Sequence, residues 1–278
     1  MKQRKNPIIA AALSIVLPGA GQIYNRQKNK ALLWYVVFFM LPVLFILCKC
    51  LHSFWGLLLM LFLYIWLYLY NVGDAIHKAV KPKRVESRPL HKLLIIALMI
   101  FIAADVYMIA SNRSRNTIGL RAFRIITNSM APTIKAGDSL ILDLNYYKKN
   151  QIRRGDIITF RHESYKGLLS KRVIGIPGDS VKGEGNTIFI NGEAIKESYA
   201  QYIERSQGID GFNRKPIFSD FGPVVVPDGE LFLMGDNRNN SFDSRYPEFG
   251  AVPIQSVWAK PLYIYFSKER SRIGKKIE

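Results

Sequence analysis

The chain has 278 residues and a formal net charge of +18, and 49% of its residues are hydrophobic. This length suits a small membrane part followed by one soluble domain, and the long apolar runs all lie before Asn112. Basic residues flank those runs without any RNA- or DNA-binding motif, so membrane lipid is an expected partner and nucleic acid is not. Both cysteines, Cys48 and Cys50, lie in an apolar run, which excludes disulfides and a thiol nucleophile from the polar half and offers no zinc site.

Residues 1–30 are predicted to be a cytosolic, interfacial or re-entrant segment. Its apolar part, Pro7–Tyr24, is interrupted by a Pro-Gly-Ala-Gly stretch, and its basic start also fits a cleavable signal peptide. We favour a retained segment, because further spans follow and anchor the chain. The string PGAGQIYN, together with Asn71–Ala75, resembles small bacterial membrane domains with a Gly-x-Gly-Gln-x-Tyr signature, whose glycines are expected to permit close helix packing.

Residues 31–112 are predicted to form a membrane anchor with three helices, at about 31–51, 53–72 and 92–110, because a span needs about 20 apolar residues. Basic residues are concentrated before residue 31 and in the loop that precedes the third helix. The positive-inside rule keeps both basic blocks in the cytosol. The sequence therefore predicts a multi-pass membrane protein whose polar half lies on the outer face.

Residues 121–267 are predicted to form a mainly antiparallel β domain, followed by a basic tail, 268–278, that can lie on anionic lipid. An Asn-Gly turn within Thr187–Ile195 predicts a β-hairpin. Short β-type runs separated by Gly, Pro and Asp turn signals predict the other strands. Examples are Leu140–Leu142, Asp156–Phe160, Thr187–Ile190, Glu230–Met234 and Leu262–Phe266.

A serine hydrolase needs a base within hydrogen-bond reach of its nucleophile, and two residues in the polar half are candidates. His162 is the single histidine there, but its charged neighbours indicate an exposed turn. Lys171 lies in an alternating apolar stretch, LLSKRVIGI, where burial would depress the lysine pKa. A solvated lysine is the commoner outcome on a strand, so spacing alone leaves the base undecided.

Three sequence boxes resemble those of bacterial type I signal peptidases, a family of Ser-Lys serine proteases. They are NSMAPTIKAGD at 128–138, KRVIGIPGDSV at 171–181 and GDNRNNSFDSRYPEFGAV at 235–252. The boxes occur in the family order, and the resemblance covers roughly residues 123 to 266. It implies N-terminal transmembrane helices followed by a β catalytic domain of the signal peptidase type. No cofactor and no metal are expected.

The resemblance implies a role for each matching residue. Ser129 would be the nucleophile, and Lys171 the base that takes its proton and later activates the water that breaks the acyl-enzyme. The Ser129 N–H and the Thr127 hydroxyl would stabilise the oxyanion. Met130 would help to shape the substrate groove, and Ser241 would hold the lysine amine in position.

The third box would supply supporting residues. Asp243 and Arg245 would form an ion pair near the site, with a largely architectural role. Its first residues, Gly235 to Asn237, would shape the loop that carries them. Turn formation is the simpler interpretation of Asp236, Asn237 and Arg238.

The chain departs from the common family pattern just before the nucleophile. Many members have Pro-Ser-Gly there, whereas this chain has Ile126, Thr127 and Asn128. Thr127 keeps a hydroxyl, and Asn128 tolerates unusual backbone angles less well than glycine. Lys171 also distinguishes the chain from the endoplasmic-reticulum type, which uses histidine at that position.

The resemblance implies an endopeptidase that removes N-terminal signal peptides with small residues, typically Ala, at the first and third positions before the cut. The predicted topology agrees, because cleavage sites emerge on the outer face. Two alternatives stay open at this point. One is a catalytically silent membrane protein that uses the fold for binding or assembly, and the other is a self-cleaving Ser-Lys protease.

Overall fold

The computed structural model describes residues 2–3, 5–81, 83–84, 119–163, 165, 167–202 and 220–278. They fall into two compact units, one within Met1–Ser114 and one within Arg115–Glu278. The first unit is helical and the second consists of antiparallel sheets. This order of apolar helices and β domain confirms the fold class expected from the sequence.

Helices and one short strand pair make up the described part of the first unit. The helices are α1 (Pro7–Val16), α2 (Ala20–Tyr24), α3 (Lys28–Leu47) and α4 (Phe54–Val80), and the strands are β1 (Lys2–Gln3) and β2 (Lys83–Arg84). Both α3 and α4 are long and apolar enough to cross a membrane by length and composition. Their large apolar side chains are widely exposed, with Leu47 at 72% and Trp55 at 77%. Exposed apolar surface of this extent marks an interaction with another apolar phase.

The two long helices correspond to the first two predicted spans, with different bounds. The second continues past the predicted end at residue 72 to Val80, because Asn71–Ala75 packs against the first helices instead of leaving the helix. The third predicted helix, 92–110, lies outside the described residues. With ten residues, α1 is about 15 Å long and too short to cross a bilayer core of about 30 Å. Its placement at the interface stays a prediction.

The break between α1 and α2 packs closely against α4. A Cβ added to Gly21 would lie 2.3 Å from the carbonyl oxygen of Ala10, so only glycine fits there. Gln22 Nε2 donates to the carbonyl oxygen of Asn71 at 2.9 Å. The two strings that resemble small bacterial membrane domains therefore meet in the fold, and the predicted packing role of this glycine is confirmed.

The second unit contains a seven-stranded sheet and a four-stranded sheet. The strands are β3 (Leu120–Arg124), β4 (Ser139–Asp143), β5 (Ile157–Arg161), β6 (Leu168–Gly175), β7 (Ser180–Glu184), β8 (Thr187–Ile190), β9 (Glu193–Ala194), β10 (Phe221–Val225), β11 (Glu230–Met234), β12 (Val252–Pro253) and β13 (Val257–Phe266). Their orders are β12-β11-β6-β5-β13-β4-β3 and β10-β7-β8-β9. The predicted strands are confirmed, and so is the hairpin, which turns at Asn191 and Gly192 between β8 and β9.

The strand β6 is the element that positions the site. It pairs with β5 on one edge and with β11 on the other. Its consecutive residues Val173 and Ile174 belong to different apolar clusters, so both faces of the strand are covered. A charged side chain on such a strand is therefore buried whichever face it lies on, which applies to both Lys171 and Arg172.

The segment 268–278, predicted as a tail on lipid, folds back onto the β domain. Lys276 forms an antiparallel bridge with Tyr263 of β13. The Ile277 side chain is 3% exposed and joins an apolar core cluster. The end of this segment is thus part of the β domain, because burial of the Ile277 side chain in the apolar core stabilises its position there.

Candidate active site

Ser129 lies at a partly buried position on the turn that follows β3. Its hydroxyl oxygen is 3.4 Å from the Thr127 hydroxyl oxygen. Within the described part of the chain, the Ser129 N–H makes no hydrogen bond. The turn therefore presents two hydroxyls and a backbone donor close together, the groups that a serine nucleophile with an oxyanion site would require.

Asn128 fastens this turn from both its side chain and its backbone. Its Oδ1 accepts a hydrogen bond from the Ala136 N–H at 2.9 Å, and its carbonyl oxygen accepts one from Asn237 Nδ2 at 3.1 Å. The residue does not adopt a positive φ. Glycine is therefore not required at this position, and the asparagine side chain adds the contact with the Ala136 N–H, which glycine could not make.

Lys171 lies on β6 with only 3% of its surface exposed. Its Nζ donates a hydrogen bond to Ser241 Oγ at 2.7 Å. Burial lowers the pKa of Lys171 from 10.5 to about 8, opposed by the Asp243 carboxylate and assisted by the Arg245 guanidinium. An amine with such a pKa is available in its neutral, proton-accepting form close to physiological pH.

Gly235 lies where the turn that carries Ser129 approaches Ser241, the hydrogen-bond partner of Lys171. A Cβ added at Gly235 would lie 2.3 Å from the Ser129 carbonyl oxygen and 2.3 Å from Ser241 Oγ. The Ser129 backbone and the Lys171–Ser241 pair are therefore neighbours, both close to this glycine. No hydrogen bond joins Ser129 Oγ to Lys171 Nζ among the described residues, and catalytic hydrogen bonds of this kind tighten when substrate binds.

Asp243 and Arg245 form a buried bidentate ion pair beside the lysine. Arg245 Nε and Nη2 donate to the two carboxylate oxygens of Asp243 at 2.8 and 3.0 Å. Asp243 also accepts the Gly235 N–H at 2.9 Å. Burial acts to raise the pKa of Asp243, but Arg245, Lys171 and Ser241 together outweigh it and the pKa is lowered. Asp243, held by Arg245, thus fixes the glycine that lies close to both Ser129 and Ser241.

The Met130 side chain, predicted to help shape the substrate groove, is buried. It is 2% exposed and packs with Ile134 and Leu140 in an apolar core cluster. A side chain buried to this degree forms no open groove surface. Met130 thus packs beneath the turn that carries Ser129, and its contribution to the shape of a substrate groove stays a prediction.

His162, the alternative base, is engaged elsewhere. Its Nε2 forms a hydrogen bond with the carbonyl oxygen of Phe249 at 3.1 Å, and the two rings stack at 4.2 Å. A ring nitrogen held by a backbone carbonyl is the donor in that bond. These contacts give the histidine a structural place in the aromatic cluster that also contains Phe242.

The sequence interpretation missed that Asp236 and Arg238 are buried charges. Arg172 Nε and Nη2 each donate to the Asp236 carboxylate at 2.8 Å, and Thr133 Oγ1 donates to it at 2.5 Å. Arg238 pairs with Glu197 at 2.6 Å. Turn formation is therefore an incomplete account of these residues. The only sequence signal was a second charge, Arg172, beside Lys171 on a strand otherwise free of charge.

The fold and the site define a serine peptidase with apolar N-terminal helices and a β catalytic domain. A family model described as signal peptidase, peptidase S26, matches residues 90–266. The chain therefore belongs to this family of serine endopeptidases, and the resemblance inferred from the three boxes is confirmed. Residues 3–50 also match a family of unknown function, DUF5683.

Several curated relatives are similar to about half of this chain. Signal peptidase I of Bacillus amyloliquefaciens is 40% identical over 139 residues, which cover 50% of this chain and 70% of that protein. Signal peptidase I of Leptolyngbya laminosa is 33% identical over 166 residues, covering 55% and 74%. The match to probable signal peptidase I-2 of Synechocystis is 33% identical and spans 62% of that protein. A crystal structure of a signal peptidase I from Enterococcus faecalis is 33% identical, covering 40% of this chain and 97% of that chain, with a TM-score of 0.33.

Proposed function

We propose that this protein is a membrane-bound signal peptidase I that removes N-terminal signal peptides from exported preproteins. Ser129 is its nucleophile and Lys171 its general base. The observation that supports this assignment most directly is the buried Lys171 amine, which has a pKa of about 8 and is held by Ser241 beside the nucleophile turn. The family relationship supplies the reaction class, endoproteolysis.

In the proposed mechanism, neutral Lys171 accepts the hydroxyl proton as Ser129 Oγ attacks the scissile carbonyl carbon. The Ser129 N–H and the Thr127 hydroxyl donate to the resulting oxyanion. The protonated lysine then gives its proton to the leaving amine, and the C–N bond breaks to leave an acyl-enzyme. Neutral Lys171 next takes a proton from a water molecule, and the resulting hydroxide attacks the acyl carbon. Lys171 then gives this proton to Ser129 Oγ as the ester bond breaks. Ser241 orients the amine throughout.

The substrate proposal concerns the residues before the cut. Purified full-length protein in detergent micelles is expected to cut a precursor with Ala at the first and third positions before the bond. A matched precursor with Phe at both positions is expected to stay intact, because large side chains require larger pockets. Mass spectrometry of the products identifies the bond, and Ser129→Ala protein serves as the blank for co-purified peptidases. Folded wild-type protein that cuts neither precursor would favour the silent alternative, and cleavage of its own chain would favour the self-cleaving one.

The proposed location is the bacterial cytoplasmic membrane, in a multi-pass topology with the β domain on the outer face. Basic residues between α4 and the next predicted helix support this orientation. Single cysteines introduced at Lys78 and Ser256, with Cys48 and Cys50 replaced by serine, provide the test. A membrane-impermeant maleimide is expected to label Ser256→Cys in intact cells or spheroplasts, and Lys78→Cys only after lysis. Labelling of Lys78→Cys before lysis would contradict the topology.

A further inference from the structure

Residues 267–278 follow the part of the chain that the signal peptidase family model matches. They return along β13 after a short helical turn, Arg270–Arg272. The Ile264 N–H donates to the Lys275 carbonyl oxygen at 3.0 Å, and the Ile277 N–H donates to the Leu262 carbonyl oxygen at 2.9 Å. We call this returning segment, 267–278, the clasp.

The clasp carries a buried cation, Arg272, which is 7% exposed. Its Nη2 donates to Asp138 Oδ2 at 2.7 Å and to the Thr133 carbonyl oxygen at 2.9 Å. Its Nη1 donates to the Pro132 carbonyl oxygen at 3.0 Å. One guanidinium thus binds both the middle and the end of the loop that begins at Ser129, as its planar fork of donors allows.

The carboxylate partner in this arrangement, Asp138, is 1% exposed and also serves the same loop. It accepts hydrogen bonds from the Lys135 N–H at 2.9 Å and from Ser267 Oγ at 2.7 Å. Burial acts to raise the pKa of Asp138, and these bonds together with Arg272 lower it. The Asp138 carboxylate therefore stays charged and remains paired with Arg272 of the clasp.

We propose that Arg272 is a positioning residue that fixes the nucleophile loop, residues 129–138, and so aligns Ser129 with its base. This inference rests on the proposed function. The start of the loop is held where the Asn237 N–H donates to the Ser129 carbonyl oxygen at 3.1 Å, and its later part is held by Arg272. Without the guanidinium, the Pro132 and Thr133 carbonyls lose their donor and the buried Asp138 carboxylate loses its cation, so the loop must move to reach water.

Replacement of Arg272 by glutamine is expected to lower kcat about tenfold, because a nucleophile displaced by 1 Å can cost up to about 10²-fold. KM is expected to change much less, since Arg272 does not belong to the proposed substrate-contacting residues. Arg272→Lys is expected to recover part of the rate, because an ammonium group can pair with Asp138 but cannot also reach both carbonyls. Amide hydrogen exchange of peptides spanning 130–137 is expected to accelerate in Arg272→Gln, whereas a role outside the loop would leave it unchanged.

Arg270→Gln is the matched control, because Arg270 is an exposed arginine in the same short turn. It removes the same charge and is expected to keep wild-type kcat and exchange. Wild-type kcat in Arg272→Gln, equal losses in both variants, or a loss without faster exchange in 130–137 would overturn the proposal. If Arg272→Gln does not fold, the same comparisons are made with Arg272→Lys, in which wild-type kcat and exchange would likewise overturn it. Cleavage by Ser129→Ala protein would instead reject the proposed function itself.

Discussion

Lys171→Met protein is expected to cleave precursor at least about a thousandfold more slowly than the wild type. A positioned general base contributes on the order of 10²–10⁴-fold to one proton transfer, and Lys171 is proposed to serve both acylation and deacylation. Methionine is apolar and close in length to the lysine stem, so it fills the buried site without leaving a cavity. Ser129→Ala is expected to lose at least as much activity, because no nucleophile remains. Initial rates on one precursor in detergent micelles measure both losses.

The pH profile of the wild type tests the same base without a mutation. With a pKa of about 8, the proton-accepting form of Lys171 makes up about a tenth of the enzyme at pH 7. The rate of the chemical step is therefore expected to rise about tenfold per pH unit below about pH 8 and to level off above it. A rate independent of pH between 6 and 8 under single-turnover conditions would contradict a lysine base with this pKa.

Stability separates the role of Lys171 in chemistry from a role in folding. Its pKa is lower in the folded protein than in the unfolded chain, so between about pH 8 and 10.5 the unfolded chain binds more protons. The free energy of unfolding therefore rises with pH across that window, by about 3 kcal/mol in total. Below the window, the cost of burying the charge is fully present. Lys171→Met removes that cost and the Ser241 hydrogen bond together, so it is expected to be at least as stable as the wild type at pH 7.

Lys182→Met provides the control for loss of a strand lysine. Lys182 lies on β7 with its side chain 45% exposed and pairs with Glu184 at the surface. Exposed pairs contribute little, so both activity and stability are expected to stay near wild-type values. A Lys171→Met enzyme that retained more than a tenth of the wild-type rate would reject Lys171 as the base. An unfolded Lys171→Met protein would contradict the conclusion that burial of the charged Lys171 amine destabilises the folded state.

The sequence could predict those parts of the fold whose signal lies within one short stretch of residues. The apolar runs of α3 and α4 and the Asn-Gly hairpin are local signals, and their positions were predicted to within a few residues, apart from the end of α4. That helix runs to Val80 because Gln22 and Asn25 bind its backbone carbonyls from a distant segment. No periodicity within α4 itself reveals those partners.

The contacts within the candidate site could be predicted less well from sequence patterns alone. The Lys171–Ser241 bond joins residues 70 positions apart, and Arg172 meets Asp236 across 64 positions. Such pairs follow from the register of β6 against β11, which a single sequence does not specify. Resemblance to a family supplied Ser129 and Lys171, whereas burial on both faces of β6 supplied the physical reason for a depressed lysine pKa. Arg272 lies outside the matched segment and had no such signal.

Gly235→Ala is expected to reduce kcat by up to about 100-fold while the protein stays folded. The added Cβ would approach the Ser129 carbonyl oxygen and Ser241 Oγ to 2.3 Å each, a separation that Cβ atoms essentially never show. Gly235 has no positive φ, so its backbone accepts alanine and only this contact opposes it. Because the Gly235 N–H is held by Asp243 at 2.9 Å, the turn or Ser241 must move instead. Displacement by about 1 Å between nucleophile and base is enough for an effect of this size.

Gly175→Ala is the steric control, because Gly175 lies on β6, the strand that also carries Lys171. Its added Cβ would meet side chains of the apolar core, Val181 Cγ2 at 2.7 Å and Val226 Cγ2 at 2.9 Å. Overpacking of this kind costs about 1–3 kcal/mol and is expected to lower the thermal midpoint while kcat is retained. Parallel losses of kcat in the two variants would mean that Gly235→Ala acts through general destabilisation. A loss confined to Gly235→Ala would mean that the missing side chain keeps the nucleophile turn against Ser241, the hydroxyl that holds the Lys171 amine.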